Sequence, residues 1–164
     1  MIRLMTAKDS MHVQQIVLNT WSETYKDTIP EEIQKSFIDR SYSDAMMLMR
    51  MERTYVLVAE CEGVPIGFAN FTKRDEDGDS ELTAMCILPS YQQKGYGKKL
   101  LEYALSMLSD AQQLFVYIDG HNETGRAFCE KQGFRLLDVF EEQFEGHPVE
   151  TAQYVYYIHS PVLA

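Results

Sequence analysis

The chain has 164 residues, 45% of them hydrophobic and 24% charged, which suits one ordinary globular domain with a real core. A formal net charge of −10 argues against nucleic acid as a partner, because affinity for a phosphate backbone comes from clustered Lys and Arg. No apolar run approaches the roughly 18–20 residues that span a bilayer, so no membrane partner is expected.

The opening residues Met1-Ile2-Arg3-Leu4-Met5-Thr6 lead at once into polar sequence, unlike a signal peptide. Three cysteines, Cys61, Cys86 and Cys129, are odd in number and lack metal-ligand spacing. A reduced, cytoplasmic protein with no disulfide framework and no metal site is the simplest reading. The acidity serves solubility and would also draw a cationic substrate.

Ile2 to Met5 reads as a short strand, and Thr6 or Asp9 as the cap of a helix with Val13, Ile16, Val17 and Trp21 on one face. Asp27-Thr28-Ile29-Pro30 breaks that helix, and Pro30 suits the first turn of a second one through Ile33, Phe37 and Ile38. Ser43 to Met51 is a further helical piece. Thr54 to Glu60 and Val64 to Thr72 are strands joined at Glu62-Gly63, and Asp77-Gly78 turns the chain into a third strand, Glu81 to Leu88. Leu100, Leu101, Ala104, Leu105 and Leu108 mark the buried face of the next helix. Leu114 to Ile118 is a strand, and Glu123 to Gln132 a helix closed by Gly133. Two last strands, about Leu136 to Phe144 and Thr151 to His159, flank Gly146-His147-Pro148. With no repeat or linker, residues 1–164 form a single domain in this reading. Helices first, then a meander, then alternating strands and helices predict an α/β (α+β) fold: a mixed, mostly antiparallel sheet of six to seven strands with helices on both faces.

The sharpest local feature lies where the third of these strands runs out. Leu88-Pro89-Ser90-Tyr91-Gln92-Gln93-Lys94-Gly95-Tyr96-Gly97-Lys98-Lys99 joins it to an amphipathic helix through a turn with two glycines. Glycines let successive N–H groups point into one concavity, and the helix start adds partial positive charge. A pyrophosphate fits there, with Lys98 and Lys99 at its edge; an ordinary tight turn explains the glycines equally well. The dinucleotide fingerprint lacks its third glycine, and the Walker ending is absent.

Gln92-x-x-Gly95-x-Gly97 resembles the Q/R-x-x-G-x-G/A signature of the GNAT superfamily of N-acetyltransferases. A second block, Asn122-Glu-Thr-Gly125-Arg-Ala-Phe128-Cys129-Glu-Lys-Gln-Gly133-Phe134, is similar to the family's N-x-x-A-x-x-F-Y-x-x-x-G-F. The blocks follow in the family's order, and the likeness is close over residues 54–134. The resemblance implies a GNAT acyl-CoA N-acyltransferase fold, acetyl-coenzyme A as cosubstrate and transfer of its acetyl group to an amine. It further implies that the backbone amides of Gln93, Lys94, Gly95, Tyr96, Gly97 and Lys98 hold the pyrophosphate. Met85, Cys86 and Ile87 would pair with the pantetheine arm, the N–H of Ile87 polarising the thioester carbonyl. These three residues also suit plain sheet core. Asn122 would bond the arm, or serve as an N-cap; Phe128 would pack beside it, or simply in the core.

The reaction needs an uncharged amine, so a carboxylate must take a proton. Glu81 is the candidate base, matching in position the glutamate of some family members. Strand alternation puts it on one face with Thr83, Met85 and Ile87. The alternative is a solvated hairpin that also includes Asp75, Glu76, Asp77 and Asp79. Where most members carry a tyrosine as the acid, this chain has Cys129, so the acid is unassigned; Tyr91, Tyr96, Tyr154, Tyr156 and Tyr157 are available.

By the same resemblance the acceptor meets the first two helices and the last hairpin, which carry Trp21, Glu23, Tyr25, Glu141, Glu142 and Glu145. Trp21 and Tyr25 are the candidate substrate-binding residues, for a small cationic amine such as a polyamine. A half-buried helix with a solvated acidic face accounts for the same residues. Acetylation of a protein N-terminus or lysine is the second reading, and a non-catalytic acyl-CoA sensor the third. Homodimer formation is expected by analogy, with exposed strand edges as a route.

Overall fold

The computed structural model describes residues 1–159. Its strands are β1 (Ile2–Leu4), β2 (Thr54–Cys61), β3 (Val64–Thr72), β4 (Asp79–Ile87), β5 (Gln113–Asp119), β6 (Arg135–Phe144) and β7 (His147–Tyr157). Its α-helices are α1 (Ser10–Thr24), α2 (Glu31–Ser41), α3 (Asp44–Arg53), α4 (Tyr96–Met107) and α5 (Glu123–Lys131). The strands form one sheet in the order β1-β2-β3-β4-β5-β7-β6. Only the central pair β4–β5 is parallel. The expected mixed, mostly antiparallel sheet is therefore present, with all seven strands.

Helices cover both faces, as the alternation of apolar residues requires. On one, Leu100, Leu101 and Ala104 of α4 and Cys129 of α5 pack on Leu57, Phe71, Leu114 and Tyr154. On the other, Val13, Ile16 and Val17 of α1, Ile38 of α2 and Met47 of α3 pack on Val56, Val58 and Phe68. Each such side chain contributes roughly 1.5–3 kcal/mol through removal from water. No helix among the described residues is long and apolar enough to cross a membrane.

The loop from α1 to α2 is tied down by polar groups. Gln34, 5% exposed, donates from Nε2 to the carbonyls of Tyr25 (3.1 Å) and Ile29 (2.8 Å). Pro30 sits one position earlier than its composition predicts: it is the N-cap of α2, with ψ of 140°, and its carbonyl accepts from Ile33 and Gln34. The β6–β7 turn is also tighter than expected. Phe144 pairs with His147, leaving only Glu145 (φ 51°) and Gly146 (φ 77°) in the turn, while His147 and Pro148 belong to β7. Two consecutive positive φ values match the twist of a two-residue hairpin.

This hairpin tip docks on the first helices. Phe144 contacts Trp21 and Phe37, with ring centroids at 5.9 and 4.8 Å, and Trp21 stacks on Phe37 at 5.1 Å. His147 Nε2 lies 2.9 Å from the carbonyl of Thr28, and Arg40 pairs with Glu145 at 2.9 Å. Sequence-distant elements thus share one rigid roof over the β4–β5 end of the sheet. Gln34→Leu keeps the volume of the side chain and orphans the Ile29 carbonyl, while that of Tyr25 still accepts from the N–H groups of Thr28 and Ile29. Urea unfolding should show a loss of about 1–3 kcal/mol in stability with an unchanged m-value.

Candidate active site

The site begins where a parallel pair stops. β4 and β5 are in register only from Asp79↔Gln113 to Leu82↔Val116, although β4 continues to Ile87 and β5 to Asp119. A bulge marks the parting: Asn70 of β3 pairs with Ala84 and Phe71 with Leu82, so Thr83 is an extra residue. Its hydroxyl donates to the Asn70 carbonyl at 3.0 Å. Beyond it the N–H of Leu88 donates to the Ile66 carbonyl (2.9 Å), so by alternation Cys86 and Ala84 also direct their backbone groups to β3. Met85 and Ile87 direct theirs toward β5, which has moved away. Gln92 Nε2 caps the Ile87 carbonyl at 2.9 Å, a contact that the sequence pattern did not disclose.

The bulge overturns one expectation. Unbroken alternation puts Glu81 on a face with Thr83, Met85 and Ile87; the extra residue reverses the parity. Leu82, Met85 and Ile87 face α4, whereas Ala84 and Cys86 face α1. Glu81, opposite Phe115 of β5, therefore shares the face of Ala84 and Cys86 under α1 and α2.

The Gly-containing turn lies just past β4. Gln93 (φ 63°) and Gly95 (φ 89°) both adopt left-handed backbone, and Gly95 is the N-cap of α4. None of the N–H groups of residues 93–98 meets an acceptor among the described residues; the first such bond here is from Lys99 to the Gly95 carbonyl, 3.1 Å. A run of six free donors at a helix start is an anion cradle. Lys94, Lys98 and Lys99 surround it. A methyl group on Gly97 would stand 3.2 Å from the Phe128 ring, so α5 and the cradle meet there without room for a side chain. Asn122 caps α5, accepting from the N–H of Gly125 at 3.0 Å. A Cβ at position 125 would lie 2.6 Å from Asn122 Nδ2, which explains glycine at that position.

On the α1–α2 side, Glu81 is half-buried and its carboxylate has no hydrogen-bond partner among the described residues. Burial holds its pKa above the ordinary value. Two of the other acids are occupied in the turn: Asp75 Oδ1 accepts from the N–H groups of Asp77 and Asp79, both at 2.9 Å, and Asp79 Oδ1 from Gln113 at 2.8 Å, while Glu76 and Asp77 are exposed. Glu81 is thereby set apart from the hairpin. Trp21 belongs to the aromatic roof, and Tyr25 packs on it with centroids 4.8 Å apart. Burial raises the Tyr25 phenol well above its usual range, with Asp119 and Cys86 nearby adding to the effect. Asp119 and Tyr117 of β5 also lie on this face and escaped the sequence reading, since only the register of β5 brings them there.

A profile of the acetyltransferase (GNAT) family matches residues 14–134. The chain belongs to this family. As a GNAT protein it is an acetyl-coenzyme A-dependent N-acetyltransferase. It is 29% identical over 111 residues to an uncharacterized N-acetyltransferase of Mycobacterium tuberculosis, covering 65% of this chain and 70% of the relative. A relative from Bacillus subtilis, also an uncharacterized N-acetyltransferase, is 25% identical over 149 residues, 88% of this chain and 84% of its own. The fold matches that of the PaiA N-acetyltransferase of Thermoplasma acidophilum, solved in complex with coenzyme A. The TM-score is 0.80 at 23% identity, over 95% of this chain and 98% of that one.

Two features bear on how this GNAT member departs from its relatives' pattern. Cys129, in the tyrosine position, is 3% exposed in the core, and burial pushes its thiol up to about 12. Tyr154 is fully buried, its hydroxyl accepting from Arg126 Nε (3.0 Å) and donating to Glu130 (3.1 Å). Tyr156 packs against Phe134. Cys129→Ala should lower stability by about 1 kcal/mol while turnover stays within about threefold, measured by thiol release. Gly97→Ala pushes against Phe128 and should weaken coenzyme A binding, read by calorimetry, on the order of tenfold.

Proposed function

We propose that this protein transfers the acetyl group of acetyl-coenzyme A to a primary amine of a small cationic substrate, by direct attack within a ternary complex. The observation that carries this reading is Glu81, a half-buried and unpartnered carboxylate at the point where β4 and β5 part. It lies on the same strand as Met85 and Ile87, whose amides are free to bind a ligand, and beneath a roof rich in aromatic rings.

The residues divide the work as follows. The amides of Gln93, Lys94, Gly95, Tyr96, Gly97 and Lys98 bind the pyrophosphate. Met85 and Ile87 pair with the pantetheine arm, Cys86 between them fills the sheet on the acceptor side, and Asn122 and Phe128 border the arm from α5. Glu81 takes one proton from the acceptor ammonium, directly or through water, and the freed nitrogen lone pair attacks the thioester carbon. The Met85 N–H, the open amide nearer Glu81 by two residues, bears on the developing negative oxygen in place of that of Ile87. The carbon–sulfur bond then breaks, the thiolate leaves with the bonding electrons, and the second proton shed by the attacking nitrogen as it becomes an amide passes through solvent to the thiolate. No buried acid is needed, in keeping with Cys129 in the core.

Acidity on the acceptor side supports a cationic acceptor, as do Trp21 and Tyr25 in the roof. The hairpin tip pinned to α1 and α2 favours a small molecule over a folded protein, because it narrows the approach to Glu81.

Thiol release with a panel of polyamines, amino acids and peptides tests the proposal. The acidic limb of kcat/KM should lie above the usual glutamate pKa of about 4.3, because burial raises that of Glu81. Activity is lost as pH falls through this raised value and the base becomes protonated. Glu81→Gln should abolish that limb and lower kcat/KM on the order of 10²-fold. Turnover restricted to peptides would favour the protein N-terminus or lysine reading.

A further inference from the structure

Two edges bound the sheet, and they are unlike. β1 offers three residues, and its Arg3 is engaged with Asp9 and Glu60. β6 offers ten residues, eight of them exposed, with no proline and no lysine among them. Leu136, Leu137 and Val139 are 46, 48 and 41% exposed along it. An edge of this length is normally blunted by proline, lysine or a covering segment, since its open N–H and C=O groups invite a further strand.

The hairpin fixes which groups are open. Across a two-residue turn the flanking residues, Phe144 and His147, exchange both hydrogen bonds, and every second residue before them does the same. Phe140 and Glu142 therefore direct their backbone groups to β7, whereas Val139, Glu141 and Gln143 direct theirs outward. The side-chain faces follow from the same register. Leu136 and Val139 lie opposite the core residues Tyr154 and Ala152, so Leu136, Val139 and Glu141 share the face of α4 and α5. Arg135, Asp138, Phe140 and Glu142 share the other face, because Leu137 is an extra residue between Leu136 and Asp138.

A strand that extends its sheet by pairing with its own copy about a two-fold axis runs antiparallel, and opposed residues share a face. Charge decides where that axis falls. At Asp138, Glu141 or Glu142 it would set like charges against each other, and at Phe140 it would oppose Asp138 to Glu142. An axis at Val139 avoids all of these. It joins the open groups of the two Val139 residues, sets Asp138 opposite Phe140 and Leu136 opposite Glu141, and places Arg135 opposite Glu142 twice. Arg135 is the sole cation of β6, and neither it nor Glu142 has an ion pair among the described residues.

We propose that β6 is the interface of a homodimer, in which two copies join their sheets edge to edge about a two-fold axis at Val139. The strand hydrogen bonds and the Leu136, Leu137 and Val139 side chains supply the affinity. The two Arg135–Glu142 pairs set the register.

Sedimentation equilibrium of the full chain tests this, and the wild type should be dimeric at about 100 μM. Arg135→Glu and Glu142→Arg each oppose like charges at two symmetry-related places, and each should raise the dimer Kd about tenfold or more. The double variant exchanges the two charges and should return Kd to within about threefold of wild type. Rescue of this kind separates a lost interface from a lost fold. A wild type that is monomeric at the same concentration would overturn the interface. A dimer that neither single variant weakens would overturn the β6 edge, and one weakened by both without rescue would overturn the register at Val139.

Discussion

The parting of β4 from β5 after Leu82↔Val116 is the constraint on which the site depends. A strand within a sheet normally has its N–H and C=O groups matched on both sides, and a buried group left unmatched is destabilising by about 1–3 kcal/mol. Here β4 stays anchored to β3 on one side while the N–H groups of Met85 and Ile87 are open on the other. The Thr83 bulge and the Gln92 cap on the Ile87 carbonyl keep this edge ordered without closing it. An extended ligand can then enter as though it were the missing strand, and the six free amides of residues 93–98 meet its anionic end.

The same bulge decides which chemistry faces which side. One extra residue turns Met85 and Ile87 toward α4 and places Glu81, Ala84 and Cys86 toward α1. The cofactor cleft therefore has the Met85 and Ile87 side chains on one side and the acidic Glu81 on the other. On the acidic side the roof is held by Gln34, by the His147 contact with Thr28 and by the Trp21, Phe37 and Phe144 rings. Since the His147 and Phe144 ties join residues more than a hundred positions apart, the acceptor side forms only when the hairpin has docked.

Cys129 illustrates how position in a motif and position in space differ. The family pattern places an acid there; in this chain the thiol sits in the core and is held protonated by burial. A thiolate leaving group tolerates that loss, because it departs without being protonated first.

The sequence alone determined the elements and the cofactor turn. Both are local: apolar periodicity marks the helix and strand faces, and Gly95 and Gly97 before an amphipathic helix require a particular backbone whatever surrounds them. The family followed from the spacing of two such blocks. What only the tertiary structure decided is which side chains share the cleft. Alternation misplaced Glu81 because a bulge at Thr83 is a property of pairing with β3, and carries no signature in β4 itself. Asp119 and Tyr117 went unnoticed because a parallel register between β4 and β5 cannot be read from either strand. Local backbone preference is written residue by residue, whereas strand register arises from packing between segments far apart in the chain.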